Sequence, residues 1–105
     1  MQTKITLILD NPGDIDAFEA SYPALIEDAT KFPGLISLES AKVFPKEDGT
    51  ATPDFRTLDL YFDDYPTASK AVTTPEAEAF FEKLNAMNST FTGLFSEVED
   101  TTIAR

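Results

Sequence analysis

The sequence predicts an α+β fold: a four-stranded antiparallel sheet with two helices on one face. Apolar residues alternate with polar ones in four short segments, which is typical of half-buried strands. In two longer segments they recur at helical spacing instead. The 105 residues fit one domain, spanning 1–105. The expected order is strand, helix, strand, strand, helix, strand.

The first strand is expected at residues 4–9, where apolar and polar side chains alternate. The Asn11-Pro12-Gly13 segment breaks it, and Asp14 is a favourable N-cap for a helix. That helix is predicted over residues 15–31, where Phe32-Pro33-Gly34 ends it.

The second and third strands are expected at residues 35–44 and 55–63. The polar segment 45–53 between them holds two prolines and a glycine, which is typical of a long hairpin connection. The two strands should therefore pair with each other.

A short helical turn is predicted over residues 64–72, before a second long helix. Thr74-Pro75-Glu76 begins that helix, with a capping hydroxyl, a first-turn proline and an acid at the positive helix end. The last strand is expected at 91–99. This order is the ferredoxin-like β-α-β-β-α-β arrangement, in which right-handed crossovers place both helices on one face of the sheet.

The composition excludes several kinds of function. Acids outnumber bases 19 to 8, for a net charge of −11, which argues against nucleic acid and anionic membranes as partners. The chain has no cysteine and no histidine, so thiol nucleophiles, Ser-His-Asp triads and the usual zinc sites are excluded. No glycine-rich phosphate loop is present, and neither a metal nor a cofactor is expected. No signal peptide or membrane span is recognisable, which predicts a cytoplasmic protein.

The strand parity sorts the two faces of the sheet. The helix side is expected to carry Ile5, Leu7, Leu9, Ile36, Leu38, Leu58, Leu60 and Phe62. The uncovered side would carry an apolar patch of Ile8, Val43, Phe55, Tyr61 and Phe95. A patch of this size requires a partner, and two sheets packed face to face in a homodimer would cover it.

The uncovered side also carries candidate catalytic residues. A hairpin that turns near Gly49 places Glu39 opposite Asp59 or one step from it, and the two carboxylates repel unless a cation such as Lys4 intervenes. One interpretation is an acid/base pair, with Tyr61 beside it. The other is a structural ion pair in a water-filled dimer seam.

A second candidate site lies at Tyr22, where Pro23 inside the first helix predicts a kink that pushes Tyr22 out of helical geometry. Tyr22 could then act as a catalytic hydroxyl or anchor a ligand. The apolar wall of that pocket would be Phe62, Phe80, Phe81, Leu84 and Met87. The alternative is an ordinary core cluster around a buried tyrosine.

Two parts of the chain resemble the EthD family, which is named for ethyl tert-butyl ether degradation. The first is Phe18-Glu19-Ala20-Ser21-Tyr22 with Phe32-Pro33-Gly34-Leu35, and the second runs from Leu58 to Asp64 and on to Thr74-Pro75-Glu76. The resemblance implies a dimeric α/β barrel that binds a small apolar molecule in a catabolic or oxidative degradation pathway, with an oxidoreductase-associated role. Ser21 and Ile26 stand where family members often have histidines, so an imidazole-dependent role is absent.

Another class of protein fits the same topology. Leu9-Asp10-Asn11-Pro12-Gly13 and the helix after it resemble the first turn of regulatory ACT domains, which bind an amino acid at a subunit interface. RNA-recognition domains also share the topology, but they need aromatic and basic residues on the open sheet face. Glu39 and Asp59 there argue against RNA.

Overall fold

The computed structural model describes residues 1–99 and has the predicted order, with a four-stranded antiparallel sheet. Its strands lie in the order β2-β3-β1-β4, and the helices pack on one face. The predicted short turn is a helix of its own, α2. The elements are β1 (Thr3–Asp10), α1 (Ile15–Ala29), β2 (Ser37–Lys42), β3 (Asp54–Phe62), α2 (Tyr65–Ala71), α3 (Pro75–Ala86) and β4 (Phe91–Glu97).

The predicted helix starts are confirmed by their capping hydrogen bonds. The Asp14 carboxylate accepts from the backbone N–H of Ala17 at 3.0 Å, and the Thr74 hydroxyl accepts from that of Ala77 at 3.3 Å. At the other end of α3, Asn88 has a φ of 55°, the left-handed conformation that commonly ends a helix. These local signals fix where the helices lie along the sheet.

The core lies between the helices and one face of the sheet. Ile5, Leu7 and Leu9 of β1 are buried there, as are Leu58, Leu60 and Phe62 of β3. Helix α1 continues through Pro23, and Tyr22 keeps helical geometry with only 6% of its surface exposed. The expected displacement of Tyr22 from the helix is therefore wrong: the buried face of α1 holds the helix together through the proline.

Two members of the predicted open-face patch lie on the helix side instead. The β1–β3 register shifts between Leu9 and Asp10, so β3 holds an extra residue there, and the Phe55 ring turns under the helices to meet Phe18 at 5.5 Å. Phe95 pairs with Ile5, which places both side chains on the helix face. The open face keeps Ile8, Val43 and Tyr61 and gains Leu94.

Ile36 also departs from its expected place. Strand β2 begins one residue later, at Ser37, and 47% of the Ile36 side chain is exposed. Leu38 packs against the core as expected. The sheet of one chain is open rather than closed into a barrel, so a barrel would require a second chain. Within residues 1–99, no helix is long and apolar enough to cross a membrane.

Candidate functional site

The open face of the sheet brings four predicted polar residues together. Glu39 on β2 lies directly opposite Asp59 on β3, in a register centred on Gly49 as predicted. The Thr6 hydroxyl donates to Asp59 at 2.5 Å, and the Lys4 Nζ lies 3.9 Å from the same carboxylate oxygen. The Tyr61 hydroxyl donates to Glu39 Oε1. The resulting open-face cluster of Lys4, Thr6, Glu39, Asp59 and Tyr61 crosses three strands.

The charges of this cluster do not balance. Two carboxylates face one ammonium, and Lys4 approaches Asp59 rather than Glu39. The Lys4 and Asp59 side chains are 33% and 22% exposed, so water screens the pair only in part. Glu39 has the Tyr61 hydroxyl as its hydrogen-bond donor. The cluster thus combines two carboxylates, one ammonium and two hydroxyls on one side of the sheet.

Tyr22 lies on the opposite face of the sheet, in a different cluster. Its hydroxyl is 2.8 Å from the Ser40 Oγ, and the Arg56 guanidinium lies over its ring at 4.1 Å from the centroid. Helix α1 places Tyr22 above β2 and β3, whose inward residues are Ser40 and Arg56. Tyr22 and the open-face cluster are separated by the sheet, so the four predicted catalytic residues do not form one site.

Glu19, one turn before Tyr22, completes this helix-face cluster. Arg56 donates to both of its carboxylate oxygens at 2.8 and 2.9 Å, and Lys42 lies 3.2 Å from one of them. The Arg56 hydrogen bonds are the main cause that lowers the pKa of Glu19 below its usual value; Lys42 adds to the effect and desolvation opposes it. Glu19, Tyr22, Ser40, Lys42 and Arg56 thus connect α1 to the sheet within one chain.

The apolar wall predicted near Tyr22 divides into two groups. Phe62, Phe80 and Leu84 have no exposed surface and lie inside the core. Phe81 and Met87 are partly buried and pack against it, and Phe81 meets the Phe91 ring at 5.4 Å. A ligand could reach the first group only by displacing core side chains. A ligand-binding role for these residues stays a prediction, and their packing favours the core interpretation.

A cavity with a volume of about 830 Å³ lies between helices α1 and α3. Met87 lines it, alone among the predicted pocket residues. Most of the remaining lining is small or apolar, with Asp14, Ser21, Lys83 and Asn88 as polar groups. The small apolar residues are Gly13, Ala17, Phe18, Ala20, Ala24 and Ala86.

Neither this groove nor the partners of Arg56 were predicted from the sequence. Ala17, Ala20 and Ala24 follow helical spacing on the exposed side of α1, a signal that could have indicated a groove-forming face. Glu19 precedes Tyr22 by three residues and so shares its face of the helix. Among residues 1–99, no group of three or more acidic side chains is arranged to hold a metal ion.

The fold and the uncovered sheet face define a small ferredoxin-like α+β domain. No protein-family model and no curated protein matches the chain. An EthD family protein from Bacillus halodurans has the same fold, with a TM-score of 0.85 and 20% identity over 94% of this chain and 100% of that protein. This agrees with the resemblance at the level of the fold.

Two other solved structures share the architecture. SnoaB, a cofactor-independent oxygenase from Streptomyces nogalater, aligns with a TM-score of 0.66 and 14% identity over 95% of each chain. A dimeric protein of unknown function with a ferredoxin-like fold, from Bacteroides fragilis, aligns with a TM-score of 0.68 and 13% identity over 92% of this chain and 96% of that one. Proteins with this fold thus include an oxygenase and a dimer.

Proposed function

We propose that this chain is a single EthD-like domain, spanning 1–105, that binds a small apolar organic molecule in a catabolic or oxidative degradation pathway. The groove between α1 and α3 carries this proposal. Its volume of about 830 Å³ is large enough for an organic molecule of moderate size. Its alanines, Phe18 and Met87 provide an apolar lining, and Ser21 and Asn88 supply polar groups that can orient a guest.

We further propose that the open-face cluster carries any chemistry this protein performs. The Tyr61 hydroxyl already donates to Glu39, so this pair can pass a proton to or from a bound molecule. Lys4 and Thr6 hold Asp59 beside it. Tyr22 is engaged by Ser40 and covered by Arg56, which supports a structural role for it.

A homodimer that packs two open sheet faces would enclose this cluster. Half-buried Ile8 and Val43 and the more exposed Leu94 would form its apolar contact. The dimeric neighbour from Bacteroides fragilis supports such an assembly. Val43→Asp should weaken the contact, because it places an unpaired charge against the partner sheet. Sedimentation showing the same species for this variant and the parent chain would contradict a contact at Val43.

A thermal-shift panel tests the binding proposal. Naphthalene and 1,4-naphthoquinone should raise the melting temperature. At a ligand concentration 100 times the dissociation constant, binding stabilises the folded chain by about 2.7 kcal/mol. Ala20→Phe should abolish the shift by filling the groove, whereas Ala79→Phe, on the exposed surface of α3 outside the groove, should not. Stabilisation by free amino acids alone, with the aromatic compounds inert, would instead favour the ACT-like alternative.

A further inference from the structure

Strand β4 forms an edge of the sheet, and its side chains are almost all exposed. No strand of residues 1–99 pairs with its outer side. On the helix face β4 is covered only in part: the Phe91 ring meets that of Phe81 at 5.4 Å, and the Phe95 ring meets that of Tyr65 at 5.6 Å. Phe91 is 40% exposed there and Phe95 is 44% exposed. A bare edge with exposed rings is a ready template for another strand.

The hydrogen bonds to β1 show which backbone groups of β4 point outward. Asp10 N–H donates to the Thr90 carbonyl at 3.0 Å, and Val98 N–H donates to the Gln2 carbonyl at 2.9 Å. Because hydrogen-bonded pairs repeat every second residue in an antiparallel ladder, the even residues of β4 bond to β1. The odd residues therefore direct their N–H and carbonyl groups away from the sheet. These residues are Phe91, Gly93, Phe95 and Glu97.

We infer that β4 pairs antiparallel with β4 of a second copy of this chain, in the register that places Leu94 on the two-fold axis. This register pairs Gly93 with the partner's Phe95, and Phe91 with the partner's Glu97. All four outward residues then take part, with about eight backbone hydrogen bonds across the contact. A shift of two residues would leave Glu97 outside the paired segment in one direction and Phe91 in the other.

Side-chain shape favours the same register. Gly93 leaves a gap on the helix face beside the Phe91 ring: a Cβ there would lie 3.8 Å from Phe91 Cε2 and 3.5 Å from Leu7 Cδ2. The partner's Phe95 lies opposite that gap and covers the glycine, an arrangement known to stabilise strand pairs that contain glycine. By symmetry Phe95 covers the partner's Gly93. The gap and the ring that fills it thus come from the same strand.

The charge distribution is compatible with self-pairing. Glu97 is the one charged residue of β4, at its end. In the inferred register the two Glu97 residues are about 20 Å apart along the strands. That separation exceeds the Debye length at physiological salt, so their repulsion is small. A strand without central charges has no device against pairing with its own copy.

This contact goes beyond the proposed packing of the open faces and does not require it. The axis of the edge contact is perpendicular to the sheet, whereas a face-to-face axis runs parallel to it. A chain that uses both contacts forms a tetramer with two eight-stranded sheets. A chain that uses only the edge forms a dimer whose open faces remain free.

Cysteine cross-linking tests the register, because the chain has no cysteine of its own. Leu94→Cys should form a covalent dimer on oxidation with diamide, since two opposed residues at a non-hydrogen-bonded position have Cα atoms about 4.5 Å apart, within disulfide range. Thr92→Cys alone should remain monomeric on a non-reducing gel. Co-expressed Thr92→Cys and Ser96→Cys chains should cross-link to each other, because the register places them opposite.

Two further variants distinguish the edge contact from the open-face contact. Gly93→Lys should abolish the Leu94→Cys cross-link, and it should fold, because a Cβ at Gly93 meets Leu7 at 3.5 Å, an ordinary contact. Val43→Asp should leave the cross-link intact. The inference is wrong if Leu94→Cys stays monomeric, or if the Thr92→Cys and Ser96→Cys pair does not cross-link. Thr92→Cys dimers that form alone would also contradict it, because they require another register.

Discussion

Strand β3 carries two polar clusters on its opposite faces. They differ in how completely their charged groups are paired within one chain. On the helix face, Arg56 binds both oxygens of Glu19 and lies over the Tyr22 ring. On the open face, Asp59 and Glu39 share one nearby cation, Lys4, at 3.9 Å from Asp59. The first cluster has a surplus of positive charge, since Lys42 also lies beside Glu19, and the second has a surplus of negative charge.

The difference supports a structural role for the helix-face cluster and is compatible with the chemical role proposed for the open-face cluster. The helix-face cluster connects α1 to the sheet through short, charge-assisted hydrogen bonds, which are about twice as strong as neutral ones. The open-face cluster is held by two hydroxyl-to-carboxylate hydrogen bonds and one ion pair at 3.9 Å, on a surface that no element of residues 1–99 covers. Removing one group should therefore destabilise the fold on the helix face, and change binding or assembly on the open face.

The largest effect is expected at Arg56. Arg56→Ala should lower the free energy of unfolding by about 2 to 3 kcal/mol, because it leaves the Glu19 carboxylate with Lys42 alone and uncovers the Tyr22 ring. Lys4→Ala on the open face should cost about 0.5 kcal/mol or less, as exposed ion pairs do. Urea unfolding of the two variants measures the contrast. Equal losses would show that the two clusters do not differ as proposed.

The second-largest effect is expected on acidification, which should reduce the stability that the helix-face cluster contributes. The Arg56 hydrogen bonds hold the pKa of Glu19 below its ordinary value of 4.5 in the folded chain. The stabilisation by Glu19 is therefore complete at a pH above the pKa that Glu19 has in the unfolded chain. It is lost as the pH falls through the lower pKa that Glu19 has in the folded chain. Glu19→Gln should be less stable than the parent chain at about pH 6, and the difference should shrink near about pH 3.

The comparison has a matched control in the hairpin loop, where Glu47 is exposed. Glu47→Gln removes one carboxylate outside the helix-face cluster, so it controls for the change in net charge that Glu19→Gln also makes. The Lys83 hydrogen bond likewise lowers the pKa of Asp28, but that residue is present in every variant and its effect cancels. A constant gap between Glu19→Gln and the parent chain across this range would contradict the assigned cause.

The sequence predicted the fold because its signals are local. Asp14 and Thr74 begin their helices through hydrogen bonds within one turn, and alternation defines each strand without reference to the others. The pairing of Glu39 with Asp59 was also predictable, because a hairpin that turns at Gly49 fixes it. Features that depend on one short connection can be derived from the sequence.

The remaining features depend on contacts between distant segments. The direction of Phe95 depends on the register of β4 against β1, and that of Phe55 on a bulge in β3. Neither has a marker in the residues themselves. The bond between Glu19 and Arg56 depends on how α1 is rotated on the sheet. A parity argument along single strands cannot supply that rotation.

The smallest effects should distinguish the two tyrosines. Tyr22→Phe removes a hydroxyl that lies 2.8 Å from the Ser40 Oγ in the buried cluster, and it should cost about 1 kcal/mol while the Arg56 contact to the ring remains. Tyr61→Phe removes the donor to Glu39 on the half-exposed face. Water replaces that donor, so the loss of stability should stay below about 0.5 kcal/mol. Urea unfolding measures both, with Ser40→Ala closing a double-mutant cycle for Tyr22. If Tyr61→Phe were the more destabilising variant, the open-face cluster would be a structural element of the single chain, and its assignment as the site of proton transfer would lose its main support.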